Sequence, residues 1–516
     1  MRGFARWTAL LAAAGLLMTG CSGGPSGDDT SGGRTGRAQP SARSSAAASP
    51  LPPSLTSQRL DWGRCRATAD FSAPGADWQC ATLKVPLDWS KPHGKTIGLA
   101  LIRAKARGEN RIGSLLFNFG GPGSSGVSTM PAYAAVVPLL RERYDLVSWD
   151  PRGVGASEGV RCLGDGEIQA AEKVDITPDT SAEEQAYLRN ATAFGKGCKK
   201  DAGELLAHVS TTDTARDMDL MRQVLGDRKT HYFGISYGTQ LGGVYAHLFP
   251  RIVGRLVLDA VVDPSADTVG HAENQARGFQ RALNAYLKST GQDPGQGSRK
   301  IADLLKRLDA NPLPTSSPRR QLTQALAFIG IVRPLYSKES WPTLTSALDA
   351  AEQGDGSELL ALADDYNGRD PSGHYGTGTH AQRVISCVDN KQRLTARKAK
   401  KLLPEFERIS PVFGPFLGWD TAGWCHDWPV SGLYETPEVS APGAAPILVV
   451  GNTGDPATPY EGTRKMADEL GEDVGVMLTW RGQGHGAYGR GSACVDSTVN
   501  AYLLSGSVPR NGKVCS

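Results

Sequence analysis

The stretch His231 to Gln240, HYFGISYGTQ, constrains this chain more than any other. A run of aromatic and β-branched residues enters the Gly-x-Ser-x-Gly pentapeptide Gly234 to Gly238 and leaves into a helical pattern from Leu241 to Phe249. That order predicts a strand, a sharp turn and a helix. A serine hydroxyl is a weak nucleophile on its own. It becomes useful when a strained turn lifts it from the sheet, a base lies beside it, and helix N–H groups face the developing charge. Ser236 stands where those conditions would meet. With 62 glycines in the chain, a plain glycine-rich turn accounts for the pentapeptide equally well, so the rest of the sequence must decide.

The surrounding pattern is one of alternation. Strand-like runs at 81–85, 96–103, 114–119 and 144–149 precede a helical stripe at 214–225 that stops at Gly226. The first two runs are close enough to pair antiparallel. Strand 229–235, helix 239–248 and strands 254–259, 445–450 and 474–480 follow, which predicts a mostly parallel sheet covered by helices. Between Asp263 and Pro442 the runs turn helical, at 276–287, 300–308, 321–336 and 341–351. An insertion of that length is too long for a loop and should form a helical cap inserted before the last strands. The expected division is 58–263 for the first half of the core, 264–442 for the cap and 443–516 for the second half.

The N-terminus reads as an export signal. Arg2 and Arg6 precede the apolar run Leu10 to Met18, and Met18-Thr19-Gly20-Cys21 resembles a bacterial lipobox with Cys21 as the lipidated residue. Residues 1–20 are then a signal peptide. Ser, Gly, Ala and Pro dominate residues 21–57, which should serve as a disordered tether. The remaining eight cysteines, Cys65, Cys80, Cys162, Cys198, Cys387, Cys425, Cys494 and Cys515, are an even number in an exported chain. Eight cysteines allow roughly a hundred pairings. The simplest closes short loops between neighbours: 65 with 80, 162 with 198, 387 with 425, and 494 with 515. No metal-ligand cluster stands out. With a formal charge of +3 over 516 residues and dispersed basic residues, the chain offers no nucleic-acid surface, and membrane contact is expected only through the lipid anchor. A monomer without a cofactor is expected.

Four further motifs follow strands. Asn118-Phe119-Gly120-Gly121-Pro122-Gly123-Ser124-Ser125-Gly126 brings small residues to a strand end. There the N–H of Gly121, with that of Tyr237 after the nucleophile, would form an oxyanion hole. A phosphate loop is the rival, but the Lys-Ser/Thr ending is missing and Pro122 removes a donor. Asp150-Pro151-Arg152-Gly153-Val154-Gly155-Ala156-Ser157 reads as a structural turn. Gly454-Asp455-Pro456 puts an acid at a strand's carboxyl end, and Gly482-Gln483-Gly484-His485-Gly486 leaves an imidazole free to reach the serine. Asp259, ending the strand after the nucleophile, is the competing acid; Asp263 is read as structural.

Together GGPG at 120–123, DPRGVGAS at 150–157, GISYG at 234–238, DPATP at 455–459 and GHG at 484–486 resemble the α/β-hydrolase fold. More narrowly they resemble the secreted tripeptidyl aminopeptidases of actinomycetes, relatives of the prolyl aminopeptidases, from about residue 60 to the end. Phe119 departs from the His that prolyl aminopeptidases usually carry before GGPG, which puts proline-specific cleavage in doubt. The resemblance implies Ser236 as nucleophile, His485 as base and Asp455 as its partner, with a peptide as substrate.

An aminopeptidase must also hold a substrate ammonium. Asp389, just after Cys387, is the candidate from the cap, ahead of Asp364 and Asp365. The leading expectation is therefore an extracellular serine exopeptidase, at the membrane face or secreted. A carboxylesterase or lipase with the same triad would instead need an apolar cap pocket, and a non-catalytic surface binding protein would usually have lost a triad residue.

Overall fold

Strands β4 (Gly113–Asn118) and β5 (Tyr144–Trp149) are buried at every residue. That is the burial of strands covered on both faces, and it places them at the centre of a sheet. In the computed structural model of the chain, which describes residues 51–67 and 71–516, they belong to a ten-stranded sheet. The other strands are β1 (Gly63–Arg64), β2 (Trp78–Pro86), β3 (Thr96–Ala104), β6 (Thr230–Ile235), β7 (Val253–Asp259), β8 (Ile447–Gly454), β9 (Gly475–Gln483) and β10 (Lys513–Cys515). Their spatial order is β1-β2-β3-β5-β4-β6-β7-β8-β9-β10. The first pairings, β1/β2, β2/β3 and β3/β5, are antiparallel, and every pairing from β5/β4 through β9/β10 is parallel. This is the α/β-hydrolase arrangement that the motifs implied. The motif loops after β4, β5, β6, β8 and β9 all leave from one edge, where the carboxyl ends of parallel strands gather.

Two apolar cores flank the sheet. One joins Leu101, Val147, Leu220, Leu241 and Val449; the other joins Phe117, Phe233, Val257, Val450 and Val499. The cap between β7 and β8 has a third, built on Phe279, Leu283, Ile331, Leu344, Phe406 and Phe413. Its helices include Thr268–Ser289, Gln324–Leu335, Gly378–Asp389 and Gly414–Gly423. The helix expected from Gln321 begins at Gln324, because the Thr323 side chain accepts the Leu326 N–H and caps it there.

The structure amends two boundaries. The cap layer also uses the chain between β5 and β6, which the sequence reading gave to the core. Tyr187 of the helix Ser181–Ala202 packs edge-on to Trp419, and Glu172 pairs with Arg320 at 2.9 Å. The tether expected to run to residue 57 ends earlier: Pro53–Thr56 is a helical turn whose Leu55 is 2% exposed in the core. Leu51 and Leu60 pack on the same core, and Gln58 exchanges two hydrogen bonds with the Lys84 backbone, so the segment is docked on β2. The signal peptide, Cys21 and the first part of the tether lie outside the described residues. Among the described residues no helix is long and apolar enough to cross a membrane.

Four disulfides join Cys65 to Cys80, Cys162 to Cys198, Cys387 to Cys425, and Cys494 to Cys515. Each closes a loop between sequence neighbours, the widest 38 residues apart. Four such bridges fit a chain exported to an oxidising compartment.

Arg152 of the DPRG turn is fully buried and grips Asp217 through two bonds, Nε–Oδ2 at 2.6 Å and Nη2–Oδ1 at 2.7 Å. It also donates to the carbonyls of Pro86, Leu87 and His208. The turn is thus a peg between β2 and the helix Thr211–Leu225. Arg152→Met should lower the unfolding free energy by about 3–5 kcal/mol, because it strands a buried carboxylate; a urea melt checks this.

Candidate active site

The nucleophile candidate comes first. Ser236 sits between β6 and the helix Tyr237–Leu248 with φ 58° and ψ −125°, a conformation side chains rarely adopt. The surroundings hold it there: Ser236 N–H donates to Asp259 O at 3.0 Å, and Thr239 Oγ1 donates to Ser236 O at 2.7 Å. The flanking glycines have no alternative. A Cβ on Gly234 would lie 2.3 Å from Gly238 O, and one on Gly238 would lie 2.8 Å from Asn118 O.

The loop after β4 packs directly on this elbow. A Cβ on Gly120 would fall 2.6 Å from Ile235 O and 2.8 Å from the Ser236 Cβ. Gly120 and Gly121 both take positive φ, 84° and 105°. Asp150 braces the loop by accepting from Ser125 Oγ at 2.6 Å and Val127 N–H at 3.0 Å. Burial pushes the Asp150 carboxyl pKa up. The N–H groups of Gly121 and Tyr237 meet no acceptor among the described residues. Both residues line the same pocket.

His485, 2% exposed, faces the acid that follows β8. Its Nδ1 lies 2.9 Å and 3.0 Å from the two oxygens of Asp455. Asp455 is itself fixed by the N–H groups of Ala457, Thr458 and Gly486. A carboxylate so held fixes the imidazole tautomer, leaving Nε2 to accept a proton. Ser236 Oγ and His485 Nε2 are both buried with no hydrogen-bond partner among the described residues. They are not bonded to each other either; catalytic bonds of this kind tighten once substrate is in place.

Asp259, the competing acid, turns to other work. Its carboxylate accepts from the N–H groups of Ala487 and Tyr488 at 2.9–3.1 Å, so it pins the loop just beyond His485. Burial raises its pKa to about 6. Asn452 pins the other side. It donates to Gly484 O at 2.6 Å and accepts from Gly454 and Gly482 N–H at 3.2 Å. Nothing in the sequence pattern distinguished Asn452 from any strand-end polar residue.

A pocket of about 60 Å³ starts at Gly121, Pro122 and Tyr237 and runs under the cap past Asp263, Gln275, Asp389 and Glu435. Asp263 is paired with Lys465 at 2.9 Å. Asp389 is 5% exposed, and both of its oxygens accept from Thr211. Glu435 has no ion-pair partner among the described residues, and Gln275 Oε1 is buried without a donor. Burial lowers the His271 pKa to about 4, so this lining imidazole is neutral at pH 7. Across Pro122 lies a second cavity of about 470 Å³, between the loop after β4 and the cap residues Arg333, Asp365 and Gly376 to Thr379. Asp364 and Asp365, the weaker ammonium candidates, are paired with Arg320 and Arg333. Among the described residues no group of three His, Cys, Asp or Glu is placed to hold a metal ion.

A family model described as TAP-like protein matches residues 410–515, which carry β8, β9, Asp455 and His485. The chain is 36% identical to serine protease Hip1 of Mycobacterium tuberculosis, over 99% of this chain and 97% of that one. It is also 36% identical to carboxylesterase B of the same organism, over 90% and 91%. The tripeptidyl aminopeptidase of Streptomyces coelicolor is 30% identical, over 89% and 86%. With a full-length likeness to proteins of this kind on an α/β-hydrolase sheet, the chain is a serine hydrolase and belongs to the α/β-hydrolase serine peptidases.

Proposed function

We propose that the chain is an exported serine exopeptidase that releases short peptides, tripeptides by kinship with the tripeptidyl aminopeptidases, from free N-termini. Ser236 Oγ attacks the scissile carbonyl as His485 Nε2 takes its proton. The N–H groups of Gly121 and Tyr237 hold the oxyanion, where losing one donor typically costs about 2.7–4 kcal/mol. Collapse breaks the peptide bond and His485 protonates the departing amine. Water, giving its proton to His485, then attacks the Ser236 ester; His485 returns that proton to Ser236 Oγ as the ester bond breaks, freeing the short peptide and restoring the enzyme. Asp455 keeps the imidazole in register and offsets its charge.

One observation carries this over the esterase reading. The pocket that begins at the oxyanion donors is lined by Glu435, which has no ion-pair partner among the described residues, and by the unpartnered Gln275 Oε1, a lining that suits a cation. An ester substrate has no use for it. The 60 Å³ pocket takes an ammonium end, and the 470 Å³ cavity across Pro122 has room for several residues of peptide. The likeness to carboxylesterase B keeps the second reading open to test. Cys21 would carry the lipid anchor and the tether after it would hold the enzyme, as a monomer, off the membrane.

Gln275→Leu tests the cation reading. A buried acceptor for a charged group is worth about 1.5–3 kcal/mol. The variant should therefore raise KM about 10- to 100-fold for a tripeptide anilide with a free amine. The N-acetylated twin should be unaffected. Mass spectrometry of the products from an unmodified peptide gives the length released.

A further inference from the structure

Asp389 is a buried carboxylate that ties the cap to the nucleophile elbow. It ends the cap helix Gly378–Asp389, two residues after the Cys387–Cys425 bridge. Its Oδ1 accepts the Thr211 N–H at 2.9 Å, at the start of the core helix Thr211–Leu225, and its Oδ2 accepts from Thr211 Oγ1 at 2.5 Å. Thr211 Oγ1 in turn lies 2.5 Å from the Tyr237 hydroxyl. A threonine hydroxyl has one proton. Since that proton goes to the carboxylate, Tyr237 must donate to Thr211, and the chain of bonds has a single direction: Tyr237 to Thr211 to Asp389. The Leu433 and Tyr434 N–H groups hold the Asp389 carbonyl, each at 3.0 Å. Asp389, Thr211 and Tyr237 are all buried.

We propose that Asp389 is a positioning residue: through Thr211 it fixes the Tyr237 side chain, and with it the Tyr237 N–H that holds the oxyanion. Tyr237 follows a serine whose backbone is held at positive φ, so its peptide plane depends on where its own Cα and side chain are held. An anchored far end of that side chain limits rotation about the Ser236–Tyr237 link. Thr211 carries this role although no motif marked it. The inference rests on the assignment of Ser236 and Tyr237 proposed above. It differs from an ammonium role for Asp389, since both carboxylate oxygens are already spent on Thr211.

The test uses the full exported chain with Asp389→Asn, Thr211→Val and Tyr237→Phe, the last two being mild enough to keep the fold. Substrates are a free tripeptide anilide and a short aryl ester; the inhibitor is an aryl trifluoromethyl ketone, which forms a tetrahedral oxyanion. Each variant is expected to lose about 10- to 100-fold in kcat on both substrates with KM within two-fold. Each should lose inhibitor affinity by the same factor. Because the three residues act as one chain, the double variant Asp389→Asn/Tyr237→Phe should be little worse than either single one. A rise in KM for the amine substrate alone, with the ester untouched, would overturn the proposal in favour of an ammonium role. Unchanged kcat in the variants, while turnover still depends on Ser236, overturns the positioning role alone; turnover that survives Ser236→Ala overturns the reading beneath it.

Discussion

Ser236→Ala is expected to lower kcat by about five to six orders of magnitude, with a melting temperature within a few degrees of the parent. Alanine keeps the Cβ, so the strained φ of 58° is unchanged, and the hydroxyl it removes has no hydrogen-bond partner among the described residues. Stability should move by no more than about 0.5 kcal/mol. Residual activity should reflect binding and the two N–H donors alone, some 10³–10⁴ over water. A thermal melt beside the activity assay separates this outcome from unfolding.

Asp455→Asn should lower kcat by about 10⁴, because the amide can present its N–H₂ to His485 Nδ1 and select the wrong tautomer. Asp259→Asn should behave differently. Its carboxylate bonds the N–H groups of Ala487 and Tyr488 and makes no bond to the imidazole, so an amide oxygen can keep part of that work. A loss of about 1–3 kcal/mol in stability is expected there, with kcat lowered by roughly ten-fold at most. Equal losses in the two variants would mean that the acid is displaced to β7.

The convergence of Ser236, Asp455 and His485, the proposed nucleophile, acid and base, was legible because each sits in a turn with glycine at a strand end, and strand ends in a parallel sheet share one edge. The disulfide partners were legible because neighbouring cysteines close short loops. What pattern cannot show is which polar residue braces which loop. Asn452, Asp259 and Asp150 all lie near the carboxyl ends of strands, yet one staples glycine carbonyls, one holds N–H groups beyond His485, and one fastens the loop after β4. Thr211 and Gln275 lie in helices whose patterns showed only core and surface. Their roles come from long-range packing: Thr211 meets residues 178 positions away. The helix Ser181–Ala202 went to the cap for the same reason, since its Tyr187 finds Trp419 and no local pattern records that contact.

The central claim is that this serine hydrolase recognises a free amine at the pocket under its cap. The most direct measurement is kcat/KM for a tripeptide anilide against its N-acetylated twin, with the full chain at low ionic strength. A preference for the free amine of at least about 100-fold, equivalent to roughly 2.7 kcal/mol of charge recognition, is the expected result. Equal rates on the twins, or turnover confined to a short aryl ester, would contradict the account and leave an esterase in its place.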